Sequence, residues 1–212
     1  MEARRSGVDG AGGGLLAVAP GRAAGAACAA LLMAPAAAIL MAAWTPVDFR
    51  LAAGLSVVPV VAGVLVIGRM AGRSDVATRA WAGLLGGVAG LLAYDAVRLA
   101  LEQVGLVSQP FRAITLYGES LLPGSAAAAG VGWAYHGWNG LAFAVFFTLV
   151  IRRPTVLKAV GWALFLDMLQ TLTVSEIPGL SVGREFLTAS VVGHLAYGAA
   201  LGLVAARFTE RG

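Results

Sequence analysis

Asp95, His136, Asp167 and His194 are the residues best suited to chemistry in this chain, because each falls in or beside an apolar run where a polar side chain needs a reason. An imidazole takes up or gives a proton near neutral pH and ligates metals through nitrogen, and a carboxylate is its common partner in both roles. Used as acids and bases, the four would act on a lipid-soluble substrate. Used as ligands, the same His136, His194, Asp95 and Asp167 would suit a divalent metal, zinc or iron. A small proton-coupled transporter, with Asp167 and the histidines carrying protons or binding a solute, is an alternative. A structural or assembly subunit, in which the groups only satisfy one another, is a further one.

Arg98, Glu119, Asn139 and Tyr197 are the expected supporting residues. Asn139 shares a helical face with His136 and Gly140, and Tyr197 shares one with His194, Ser190 and Gly198. Arg98 follows Asp95 by three residues, so the two can pair on one helix and need no other role. Glu119 lies in an irregular stretch from which it can dip toward the others. Asp167 is the hardest to explain structurally, since its own helix offers no nearby cation and an Asp at a span centre costs about 2.5–3.5 kcal/mol.

The elements that position these groups follow from composition. Hydrophobic residues make up 59% of the 212 residues and charged residues only 12%, where soluble domains carry about 25% charge. With a mean hydropathy of +0.83, the chain is expected to be an all-α, multi-pass membrane bundle. Its net charge of +4 does not predict a nucleic-acid partner, because the cations fall beside the apolar runs, where they set topology. Membrane lipids and a lipid-soluble small molecule are the expected partners. The single Cys28 rules out an intrachain disulfide and a thiolate metal cluster.

Six transmembrane spans are predicted, at about 23–44, 51–68, 80–100, 132–151, 159–174 and 186–206, in one domain over 23–212. Residues 1–22, rich in Gly and Ala, read as a disordered cytoplasmic tail; a cleavable signal is an alternative reading of the first run. Pro35 and Pro59 predict kinks. Gly83, Gly86, Gly87 and Gly90 make two overlapping small-xxx-small pairs, which let neighbouring backbones approach. The stretch 103–131 is too long for a turn. Ser108 and Pro110 can start a short helix with Phe111, Ile114 and Leu121 near one face, and Pro123-Gly124 would stop it, giving an interfacial or re-entrant outer segment.

Orientation follows from the cations. With both termini cytoplasmic, Arg4, Arg5, Arg22, Arg69, Arg73, Arg79, Arg152, Arg153, Lys158, Arg207 and Arg211 lie inside, and only Arg50, Arg112 and Arg184 lie in outer loops. Counting up from the cytoplasmic cations at about 1.5 Å per residue puts Asp95 and His136 at roughly 24 Å, His194 at roughly 20 Å and Asp167 at roughly 14 Å. The two histidines therefore differ by roughly 4 Å in level, which disfavours a haem held between them. Asp95 then His136-xxx-Gly140 is echoed by Asp167 then His194-xxx-Gly198, as in a bundle of parallel hairpin repeats around a central site.

The pairing of Tyr94-Asp95-xx-Arg98 with Tyr135-His136-xx-Asn139-Gly140 resembles small bacterial membrane proteins of uncharacterised function that carry a YDxxR followed by a YHxxNG. The resemblance covers about the central third of the chain. It implies a multi-span protein of the cytoplasmic (inner) membrane and brings no activity with it. No nucleotide-binding loop, zincin helix, nucleophile elbow or Asp-rich prenyl-diphosphate motif occurs in the sequence. A reporter fused after Arg211 is expected to be active only if it works in the cytoplasm, and one inserted near Ser181 only if it works outside; the opposite pattern would invert the bundle.

Overall fold

The computed structural model describes residues 25, 27, 28, 30–70, 74–174 and 179–209, so the expected tail over 1–22 lies outside the described residues. Seven helices follow in order: α1 (Ala34–Trp44), α2 (Phe49–Met70), α3 (Ser74–Gln103), α4 (Arg112–Leu121), α5 (Ala128–Val150), α6 (Val156–Val174) and α7 (Arg184–Thr209). No strand occurs among the described residues. Each helix after α1 reaches or passes the end of its apolar run, because backbone hydrogen bonding continues into polar flanks where hydropathy falls.

Four stretches are long and apolar enough to cross a membrane: Phe49–Arg69, Asp75–Gln103, Val156–Thr173 and Arg184–Phe208. They point to a helical membrane protein. The outward face of α2 carries Leu51, Leu55, Val58 and Leu65, with Val58 71% exposed, an apolar surface that water would not tolerate but lipid would. The 23-residue α5 is not among the four, because His136 and Asn139 dilute its apolar content. The first run is broken where Pro35 predicts: a turn at Met33 separates helical residues 30–32 from α1, since Pro35 has no N–H to offer the preceding turn. By contrast, α2 runs through Pro59 without interruption.

The central packing is built by glycines. Helix α3 makes its most extensive contacts with α7 and α5, and α7 also packs along α6. A Cβ at Gly83 or Gly87 would strike Val145, Ala144 or Leu141 of α5, whereas one at Gly86 or Gly90 would strike Leu201 or Tyr197 of α7. The two overlapping pairs on α3 therefore receive two different helices. Between them sit the buried Tyr94, Phe147, Tyr197 and Leu201. Gly198 and Gly202 do the same for α6, meeting Val160 and Val156.

The segment between α3 and α5 folds into a helical hairpin arm. α4 buries Ala113, Ile114, Tyr117 and Gly118 and lies against the first turns of α5, where a Cβ at Gly118 would fall 1.9 Å from the Ala128 carbonyl oxygen and one at Gly132 2.1 Å from that of Ile114. Those pairings run antiparallel. Gly124, with φ of 69°, makes the reversal after Pro123. Ser108 ties this arm to the start of α7 by donating from its N–H and Oγ to Glu185 Oε2, at 2.8 and 2.7 Å. At the opposite end of the bundle, the Arg79 guanidinium caps α5 by donating to the carbonyls of Thr148, Ile151 and Arg152, groups that have no partner inside the helix.

Overpacking at these close approaches costs typically about 1–3 kcal/mol. Gly86→Val is therefore expected to lower the thermal unfolding midpoint in detergent by several degrees, while Gly54→Ala, where a Cβ meets nothing within 4 Å, leaves it unchanged or slightly raised; equal effects would show that α3 does not use this face.

Candidate functional site

Antiparallel packing of α3 on α5 brings Asp95 Oδ1 to 3.1 Å from His136 Nε2. Packing of α6 on α7 brings Asp167 Oδ1 to 3.2 Å from His194 Nδ1. Gly140, four residues after His136, meets Leu91, four before Asp95, whereas Gly198, four after His194, meets Val160 and Ala159 as well as Ala163, four before Asp167. Those glycines do not leave open space beside the histidines; neighbouring side chains and backbone fill it.

The pairs differ in chemistry. His194 Nδ1 also lies 2.9 Å from the Ser190 carbonyl oxygen, and since both its partners accept, Nδ1 carries the hydrogen and the neutral ring keeps its lone pair on Nε2. His136 bonds through Nε2, which leaves the lone pair on Nδ1. The first pair is partly open, with the Asp95 side chain 27% exposed. The second is closed, with Asp167 8% exposed and further held by the Ser190 hydroxyl, which donates to Oδ1.

Asp167 does not sit about one turn below His194, as the depth count from Lys158 implied. Helix α6 starts beside Gly202, five residues before Arg207, so its first residue is already about 7 Å up the bundle. The helix ends are not level, and counting each span from its own cations takes them as level.

One cavity of about 230 Å³ joins the two pairs, lined by His136, Asn139 and Tyr135 of α5, His194 and Tyr197 of α7, and Tyr94 and Arg98 of α3. Ile114 and Tyr117 of α4 close one end, Leu166, Leu169, Gln170 and Thr173 of α6 form a wall, and Ile39 and Leu40 of α1 cover the gap. Asp95 and Asp167 are not part of the lining; each stands behind its histidine. The Tyr94 ring touches both imidazoles, at 5.5 Å from His136 and 5.1 Å from His194 between centroids. The expected four-ligand metal set is not assembled: among the described residues no three His, Cys, Asp or Glu side chains are grouped to hold a metal ion.

The supporting residues divide. Asn139 lines the cavity and hydrogen-bonds Tyr135. Tyr197 donates to the Gly140 carbonyl oxygen at 2.5 Å, which fixes α7 on α5. Glu119 is exposed and does not dip toward the histidines, because the inward face of α4 runs through Ala113, Ile114, Tyr117 and Gly118. Arg98 does not pair with Asp95, whose partner is His136. It is 4% exposed, donates to the Tyr94 hydroxyl at 3.3 Å, and has its guanidinium carbon 5.0 Å from the Tyr94 ring and 5.7 Å from that of Phe111.

Tyr94 and Ser190 have roles that residue spacing did not reveal. Tyr94 accepts from Arg98 and packs its ring on both imidazoles, and Ser190 donates to Asp167. The one sequence signal was the position of Tyr94 between Asp95 and the glycine face of α3. A second cavity, of about 230 Å³, lies on the other side of Arg98 and is lined by Arg112, Gln109, Ser108, Glu185 and Phe186.

No family model matches the chain, and neither the curated proteins nor the solved structures contain a match.

Arg98 and Asp167 are the buried charges among the described residues, and removing one partner of a buried pair costs about 3–5 kcal/mol. Arg98→Met and Asp167→Leu are each expected to destabilise the protein by that order, and the double variant by clearly less than their sum, in chemical unfolding of the detergent-solubilised protein. Strict additivity would mean that the two buried charges do not interact.

Proposed function

We propose that the chain is a six-span protein of the bacterial cytoplasmic membrane, with both termini inside, and an enzyme that performs acid/base chemistry on a lipid-soluble molecule bound in the shared cavity. The span count is supported by the four apolar stretches, by the length of α5, about 34 Å at 1.5 Å per residue, and by the helical residues Gly25, Ala27, Cys28 and 30–32 ahead of α1 in the first run. The arginine bias supports the orientation, which places α4 as an outer re-entrant arm.

His194 carries the chemistry in this reading. Its Nδ1 hydrogen is held by Asp167 and the Ser190 carbonyl while the ring lines the cavity, so Nε2 is the nitrogen left to take a proton from a bound molecule, and Asp167 stabilises the imidazolium that results. His136, backed by Asp95, supplies a second group of the same kind from the facing helix. One acts as base and the other as acid. Apolar walls exclude water from the transfer.

A carrier is the second reading, favoured by Arg98 lining two cavities in series toward the α4 end. His194→Gln separates the two. The protein is purified in detergent, extracted with organic solvent and the extract read by mass spectrometry. The variant is expected to hold a molecule that in wild-type extracts is chemically altered or absent. The same molecule in the same amount in both would overturn turnover and leave the carrier.

A further inference from the structure

Two residues that line the cavity each carry a polar atom that no described residue satisfies. Arg98 Nε and the Tyr117 hydroxyl are buried without a hydrogen-bond partner, both side chains are more than nine-tenths buried, and both residues line the chamber of the two histidines. A buried donor left unpaired costs about 1–3 kcal/mol. Two in one small cavity on separate helices, α3 and α4, mark where a bound molecule would place an acceptor. Burial pushes the Tyr117 phenol up from its ordinary value, so it is a neutral O–H at physiological pH.

Charge decides what kind of acceptor fits. Arg98 and Asp167 are the buried charges among the described residues and are opposite in sign, so an anion would be a third, uncompensated buried charge. A carbonyl oxygen accepts two hydrogen bonds and brings no charge. Size decides how much of the molecule is enclosed. At about 230 Å³ the cavity is below the ~300–1,000 Å³ of sites that bury a whole drug-sized ligand, so it encloses a head and not a tail. The apolar side of the cavity includes Leu40 of α1, Phe143 of α5 and Leu169 of α6, next to the seam where α6 meets α5 through Trp162, by its bond to the Phe143 carbonyl and its stacking on Phe146.

We propose that the cavity binds a neutral, carbonyl-bearing amphipath, its carbonyl oxygen held by Arg98 Nε and the Tyr117 hydroxyl and its apolar chain leaving toward lipid between α5 and α6. This rests on the reading of the cavity as a site for a lipid-soluble molecule, and does not depend on turnover. It also places the acceptor in the same chamber as the His194 ring, where a proton beside a carbonyl is the group a histidine base can remove.

The test uses tridecan-2-one, tridecane and laurate at pH 8 as probes of the purified full chain in detergent, read by thermal shift and by tryptophan fluorescence titration. Tridecan-2-one is expected to bind saturably and to raise the unfolding midpoint, with tridecane and laurate at least tenfold weaker. Tyr117→Phe, which removes one oxygen and no charge, should weaken the ketone by about tenfold or more, equivalent to ~1.4 kcal/mol, without changing the weak binding of tridecane. Arg98→Met should do the same if it folds, and Tyr117→Phe alone suffices if it does not. Laurate binding as tightly as the ketone, or a ketone affinity unchanged in Tyr117→Phe, overturns the proposal. Turnover is read on His194→Gln by solvent extraction and carbonyl recognition on Tyr117→Phe by titration, so failure of the one reading is distinguished from failure of the other.

Discussion

A buried arginine and a buried aspartate that do not touch each other set the terms for the centre of this bundle. Both are buried, and an isolated charge in such surroundings is expensive. What makes both tolerable is a polar partner for each: Tyr94 accepts from the guanidinium, and Ser190 and His194 donate to the carboxylate. The contacts of Asp167 join α6 to α7, so satisfying that charge also holds those two helices in register. His194 is oriented by the same carboxylate. Its position as a candidate base is thus a by-product of charge compensation and needs no separate device.

Such a network needs helices closer than ordinary side chains permit. Tyr94 fits against α7 only because Gly193 offers no Cβ, which would lie 2.8 Å from the ring, and Tyr197 fits against α3 only because Gly90 offers none, with a clearance of 2.7 Å. The two tyrosines interlock reciprocally, each ring over the glycine of the facing helix. Tyr197 then reaches the Gly140 carbonyl on α5, so three helices meet through two aromatic rings and three glycines. The cavity is what remains above this tight layer, where α5 and α6 diverge and α1 and α4 close the sides.

α4 shows how a short amphipathic helix can be held without caps. It has no side-chain cap at its start, yet it is fixed by backbone approach at Gly118 and Gly132 and by an aromatic cluster in which Tyr117 meets Phe49 and Tyr135 at 6.3 and 5.9 Å. The clamp between Ser108 and Glu185 anchors the other end of the arm. Placing Tyr117 at the cavity is therefore a consequence of glycine positions more than 20 residues from either of the aspartates.

Apolar runs of span length made helices legible directly, because in lipid a backbone can satisfy itself only within the segment. The paired glycines on α3 were legible as packing faces for the same kind of reason, since small residues at four-residue spacing have few other uses in an apolar helix. The chemistry-bearing residues were legible because Asp95, His136, Asp167 and His194 break apolar runs. Their partners were not. Spacing offered Arg98 to Asp95, three residues away, but tertiary packing put His136 there instead and sent Arg98 to Tyr94. Depth counting put Asp167 below His194, but the staggered start of α6 beside Gly202 brought them level. Glu119 turned outward because one face of a ten-residue helix was already taken by Tyr117 and Gly118. Sequence by itself determined helix content and which polar residues stand inside apolar runs, both local properties of a chain with few polar groups. Which polar group meets which was decided only by the relative heights and rotations of helices, and those depend on contacts between residues far apart in the chain.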